Sequence, residues 1–110
     1  MELDVEKIGD VAIVLLPGET LEASNVQEFK GSMAPIVEAN NKIVFDMSQI
    51  RFIDSTGCGI CISFLIMLKD KGGGLKLCST TAPVDSLFNL MGFDQLFGIF
   101  KTREEAVKAF

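Results

Sequence analysis

The stretch Ile43-Val44-Phe45-Asp46-Met47-Ser48-Gln49-Ile50-Arg51-Phe52-Ile53-Asp54-Ser55-Thr56-Gly57-Cys58-Gly59 decides the fold. Its opening residues are β-branched and aromatic, which suits a strand. A short apolar segment, Phe52-Ile53, follows, and then Asp54-Ser55-Thr56-Gly57 leads into an apolar run stopped by Gly72-Gly73-Gly74. The spacing predicts a strand, a loop and a helix from about Thr56 to Lys71. Upstream, Leu3 and Val5 alternate with Asp4 and Glu6, Gly9-Asp10 punctuates, and Val11 to Leu16 is apolar, the signature of a two-stranded hairpin. Pro17-Gly18 ends its second strand, and Ser24 with Gln27 has the form of a capping box. The helix it would open carries Val26, Phe29, Met33, Ile36 and Val37 on one face and ends at Asn40-Asn41.

Downstream, Leu75 to Cys78 reads as a strand, and Pro83 suits the first turn of a helix bearing Val84, Leu87, Phe88, Leu90 and Met91, closed by Gly92. Leu96 to Phe100 reads as a last short strand, and Thr102 with Glu105 forms a second capping-box pattern. The expected order is β-β-α-β-α-β-α-β-α. Such alternation predicts an α/β domain with a mixed, mostly parallel sheet, opened by an antiparallel hairpin and packed with about four helices.

A chain of 110 residues fits one domain, residues 1–110, and its 48% hydrophobic content suffices for a core. The net charge of −5 and the scattering of the ten Lys and Arg residues argue against nucleic acid. Cys58 to Leu68 covers about half of a membrane span, and the start lacks the pattern of an export signal, so a cytoplasmic protein without membrane attachment is expected. The three cysteines, Cys58, Cys61 and Cys78, fit reduced thiols. There is no histidine, which removes the usual base of Ser and Cys hydrolases and any His-containing zinc site. No metal or cofactor is called for.

Loops at the carboxyl ends of strands are where an alternating α/β domain usually builds its site. Ser55 is suited to be the N-cap of the helix, and Gly57 and Gly59 leave bare backbone in the first turns, as if something must approach closely. Phosphate on Ser55 would bring about −1.5 to −2 charges to a helix N-terminus, which tolerates them, while the same charge would repel an acidic partner or disturb an apolar contact. The plainer reading is that Asp-Ser-Thr is ordinary capping chemistry.

From Pro17 to about Phe100 the sequence resembles the STAS family of anti-sigma-factor antagonists. Four features carry this: Leu16-Pro17-Gly18-Glu19 before a capped helix; Ile43 to Ser48 leading to Phe52-Ile53-Asp54-Ser55-Thr56-Gly57-Cys58-Gly59; the glycine-rich end of the next helix before Leu75-Lys76-Leu77-Cys78; and Pro83 to Phe97. The resemblance implies a non-enzymatic switch. The unphosphorylated form would bind an anti-sigma factor serine kinase and so free a sigma factor, phosphorylation at Ser55 would end binding, and a metal-dependent serine phosphatase would restore it. Thr56 is the alternative acceptor, and Asp54, Ser55, Thr56, Gly57, Cys58 and Gly59 would form the partner-binding surface. Many members have Gly-Glu-Leu-Asp after the second strand; here Gly18-Glu19-Thr20-Leu21-Glu22 has one extra residue, so Glu22 stands for that aspartate. Cys58 replaces a larger aliphatic residue.

Two rivals accompany this reading. One is a STAS scaffold or ligand-sensing domain that is never phosphorylated. The other is a thiol oxidoreductase, because Cys58-Gly59-Ile60-Cys61 is a C-x-x-C at a helix N-terminus, a place that can depress a cysteine pKa. Against the latter, thioredoxin-like aromatic and proline residues are missing, and Cys61 continues an apolar helix. Asp46 is expected either as an acid near the junction or on an exposed strand face, the phenylalanines as core, and Arg103-Glu104-Glu105 as a solvated helix start.

Overall fold

The structure, a computed structural model, describes residues 1–110. In chain order it contains β1 (Asp4–Ile8), β2 (Val11–Leu15), β3 (Thr20–Leu21), α1 (Val26–Ala39), β4 (Lys42–Asp46), β5 (Phe52–Ile53), α2 (Ser55–Asp70), β6 (Gly74–Cys78), α3 (Ala82–Met91), α4 (Phe93–Leu96), β7 (Ile99–Phe100) and α5 (Arg103–Lys108). The main sheet has the order β1-β2-β4-β6-β7. Only the β1–β2 hairpin is antiparallel, with Asp4 opposite Leu15 and Ile8 opposite Val11. β4 lies parallel to both β2 and β6.

Alternation along the central strands divides the interior. Ala12 and Val14 of β2, Ile43 and Phe45 of β4, and Leu75 and Leu77 of β6 face one core with α1, α2 and α3. Val11, Ile13, Val44 and Cys78 face the other side, where Ala106 of α5 covers them. Phe29, Phe45 and Phe64 meet edge to face, with ring centroids 5.7–6.1 Å apart, and so lock α1 and α2 to β4. Phe52 departs from the expected phenylalanine core, being exposed on β5. No helix is long and apolar enough to cross a membrane.

The expected elements are present, with two additions. β3 pairs in parallel with β5 as a separate two-stranded sheet, and α4 adds a fifth helix of one turn after the left-handed Gly92. The capping box at Ser24 does not form. Asn25 stands at the N-cap of α1 without capping it. Its side-chain amide instead accepts the Glu22 N–H at 2.9 Å and donates to the Thr20 carbonyl at 2.8 Å, folding the loop that follows β3. Thr102 does cap α5, accepting the Glu105 N–H at 3.1 Å.

Asp46 is neither exposed nor free to serve the junction. At 6% exposure, it accepts the Arg103 Nε–H at 2.6 Å and the Ser48 N–H at 2.9 Å. Arg103 also donates to Glu6 at 2.9 Å, so the residue expected on a solvated helix start instead clamps α5 to β4 and β1. Burial pushes the Asp46 carboxyl up, but the Ser48 amide and the Arg103 guanidinium outweigh it and hold it below the ordinary carboxylate value. A carboxyl depressed on folding stabilises above the ordinary carboxylate range, and that contribution is lost as pH falls through its folded value. Arg103→Gln should therefore cost about 1–3 kcal/mol at neutral pH, the range for a buried group stripped of a partner. Acid unfolding followed by circular dichroism should also begin at higher pH than in the wild type. An unchanged acid midpoint would show that the clamp carries no stability.

Candidate functional site

β5 ends at Ile53 and α2 begins at Ser55, leaving Asp54 in extended backbone (φ −103°, ψ −175°) as the N-cap. Its Oδ1 accepts the Gly57 N–H at 2.9 Å and the Thr56 hydroxyl at 2.5 Å. Its Oδ2 accepts the Ala23 N–H at 3.0 Å, and its own N–H donates to the Leu21 carbonyl at 3.3 Å. One carboxylate thus ties the first turn of α2 to the loop between β3 and α1. The Thr56 hydroxyl first, then the Gly57 and Ala23 amides, hold the Asp54 carboxyl below its ordinary value. It is a carboxylate at neutral pH.

The expectation that Ser55 caps the helix is corrected here. The end of β5 supplies the extended backbone at residue 54, and an ionised oxygen accepts from a helix N-terminus more strongly than a hydroxyl does. Ser55 is consequently the first helical residue, exposed, with its hydroxyl bonded to no group of the chain. Thr56 is also exposed, but its hydroxyl is engaged by Asp54. The two candidate acceptors are thereby distinguished.

The two glycines differ as well. A Cβ on Gly57 would lie 2.3 Å from the Leu21 carbonyl oxygen and 2.7 Å from Ile53 Cγ1, so bare backbone is required there by the chain's own β3. A Cβ on Gly59 would meet nothing within 4 Å, and this glycine is exposed. Glu22 lies between Leu21 and Ala23, the two residues bonded to Asp54, and its carboxylate accepts the Ser24 hydroxyl at 3.3 Å. The backbone therefore carries Glu22 to the junction.

Cys58 is 2% exposed and sits 3.9 Å, sulfur to sulfur, from Met91 of α3. Burial, then the charge of Asp54, raises its thiol pKa; burial pushes that of Cys61 up to about 12 and that of Cys78 up to about 11. Protonated, buried thiols are poor nucleophiles, so the C-x-x-C packs as core. Sequence reasoning missed one feature of the neighbourhood. Leu90 and Met91, two of the apolar residues that this helix was expected to bear, are both exposed. For Leu90 the signal was present, since it falls out of phase with Val84, Leu87 and Phe88; Met91 keeps that phase and is exposed as the last residue of the helix. A groove of about 390 Å³ lies elsewhere, between α1 and α2, lined by Lys30, Val37, Phe64 and Met67 among others.

Opposite outcomes are expected at the two glycines in urea unfolding. Gly57→Ala should destabilise by about 1–3 kcal/mol through overpacking. Gly59→Ala should stabilise by up to about 1 kcal/mol through helix propensity. Equal effects would contradict the close approach of β3 to α2.

With this geometry established, known proteins supply a context. A STAS domain family model matches residues 2–106. BtrV of Bordetella bronchiseptica, provisionally named an anti-sigma factor antagonist, is 27% identical over 100% of this chain and 95% of its own. The crystal structure of a Thermotoga maritima protein, provisionally named in the same way, superposes with a TM-score of 0.88 at 26% identity, covering 97% of this chain and 92% of that one. The anti-sigma factor antagonist SpoIIAA superposes in its unphosphorylated form (TM-score 0.79, 19% identity, 97% of this chain and 94% of that one) and in its phosphorylated form (0.71, 18%, 97% and 97%). At those identities the likeness to SpoIIAA is one of fold. Because the family match runs nearly from end to end, the chain belongs to the STAS domain family.

Proposed function

We propose that this chain is a non-enzymatic, cytoplasmic anti-sigma-factor antagonist whose binding is switched at Ser55. Unphosphorylated, it binds an anti-sigma factor serine kinase, and the sigma factor held by that kinase is released. The kinase then transfers the γ-phosphoryl group of ATP to the Ser55 oxygen, leaving ADP, and the modified chain dissociates. A metal-dependent serine phosphatase hydrolyses the phosphate and returns the chain to its binding form.

The observation that carries this reading is the uncommitted, exposed hydroxyl of Ser55 beside an Asp54 that performs the capping. Modification of Ser55 removes no hydrogen bond from the fold. The new charge arrives at the N-terminus of a 16-residue helix, where the dipole favours an anion. What changes is the surface around it: Thr56 and Gly59 beside it, with Glu22 on the neighbouring loop. The names of the relatives support antagonism of an anti-sigma factor, and a protein of the same fold has been solved with and without phosphate.

Phosphopeptide mass spectrometry tests this reading after incubation with ATP and, one at a time, purified anti-sigma serine kinases from the source genome. One phosphate on Ser55 is expected, and none in Ser55→Ala. Phosphate on Thr56 would overturn the assignment of the acceptor, and no phosphate with any kinase would favour an unphosphorylated STAS scaffold.

A further inference from the structure

The groove of about 390 Å³ between α1 and α2 lies away from the junction, since its α2 wall starts at Phe64, roughly 13 Å along the helix axis from Ser55. Helical spacing explains its shape. Lys30, Ala34 and Val37 share the face of α1 turned toward α2, and Phe64 and Met67 line the opposite wall. The small side chain of Ala34 leaves a gap that its larger neighbours do not fill. Small-molecule sites span roughly 300–1,000 Å³, are concave and mostly apolar, and are often set between helices, as this groove is. Seven residues line it, against the roughly 20–30 a side of a stable protein interface.

The charges on its rim are unevenly committed. Lys71 Nζ donates to the carbonyls of Val37, Glu38 (3.3 Å) and Asn40 (3.5 Å), so its three N–H groups are spent on the C-terminal end of α1, where the helix dipole is negative. Glu38 stands at that same end. Lys30 stands about two turns earlier on α1. It takes part in no ion pair: those of the chain join Met1 to Glu28, Lys42 to Asp10, and Arg103 to both Glu6 and Asp46. Among the remaining charged residues of the two helices, Glu28 is held by the N-terminus, and neither Lys69 nor Asp70 lines the groove. Two lysines and one glutamate thus leave the rim at +1, in a chain whose net charge is −5.

We propose that this groove binds a small amphiphile with a single anionic head, of the class of a fatty carboxylate. The apolar body lies along Ala34, Val37, Phe64 and Met67, and the head accepts a charge-assisted hydrogen bond from Lys30 Nζ. The orientation follows from the rim. At the other end an anion would meet Glu38 and a lysine with no N–H to give, whereas Lys30 brings an unspent ammonium. The site is separate from Ser55 and does not depend on the phosphorylation reading.

The test is an amide chemical-shift titration of the full chain with sodium decanoate, 1-decanol and decyltrimethylammonium, each kept monomeric. Decanoate should give saturable shifts centred on residues 30–38 and 64–71, and should bind about three- to tenfold more tightly than the other two, the range for one charged contact at a partly exposed site. Lys30→Gln should bring decanoate down to the affinity of decanol and leave decanol unchanged, while Lys30→Arg keeps decanoate within about twofold. Ala34→Phe, which fills the groove from an exposed position, should weaken both by at least about tenfold, and Ser55→Ala should alter neither. The same amide spectra report whether each variant is folded. Shifts that fail to saturate or that centre elsewhere would overturn the site, and equal decanoate affinity in wild type and Lys30→Gln would overturn the anionic head. Shifts that grow with protein concentration alone and vanish in Ala34→Phe would assign the groove to a second copy of the chain and overturn the proposal.

Discussion

The junction depends on the carboxylate of Asp54, which accepts from Thr56 and Gly57 on one side and from Ala23 on the other. Without it the first turn of α2 and the loop after β3 would have no shared anchor beyond two short strands. Its position explains its neighbours. Asp54 caps the helix, so Ser55 does not; β3 presses against α2 there, so residue 57 must be glycine. A carboxylate held below its ordinary pKa keeps this arrangement at neutral pH, and the arrangement would loosen only in acid.

The same economy runs through the rest of the molecule. Central strands buried on both faces supply the rigid platform, and the phenylalanine triad fixes α1 and α2 to it. On the reverse face, α5 is held by Arg103 on Asp46 and Glu6, far apart in sequence from either. The junction is thus carried by elements that need not move when a group is added to Ser55. On the proposed function, phosphorylation of Ser55 would alter a surface and leave the core in place.

Much of this was legible in the sequence because it is local. The β1–β2 hairpin follows from alternation about Gly9-Asp10, the parallel order from strand-helix repetition, and the Thr102 cap from its spacing to Glu105. What escaped is short or non-local. A two-residue strand such as β3 has no periodicity, so its pairing with β5 left no trace. Among the consecutive Asp54, Ser55 and Thr56, any could cap, and the choice was made by where β5 ends. Asn25 was drawn from capping by Glu22 and Thr20, and Arg103 by an acid 57 positions away. Leu90 is exposed because it lies out of phase with Val84 and Phe88 on α3, which the spacing of the apolar residues already shows.

The structure shows one hydroxyl left free by its neighbour's stronger acceptor, and on the proposed function a single charge added there would alter what the chain binds. The most direct measurement of that claim uses immobilised Ser55→Ala and Ser55→Asp chains in native lysate, with the retained kinase identified and quantified by mass spectrometry and the fold of both variants checked by amide spectra. The account predicts that both variants are folded, that Ser55→Ala retains the kinase and that Ser55→Asp loses it. Equal retention of the kinase by two folded variants would contradict it.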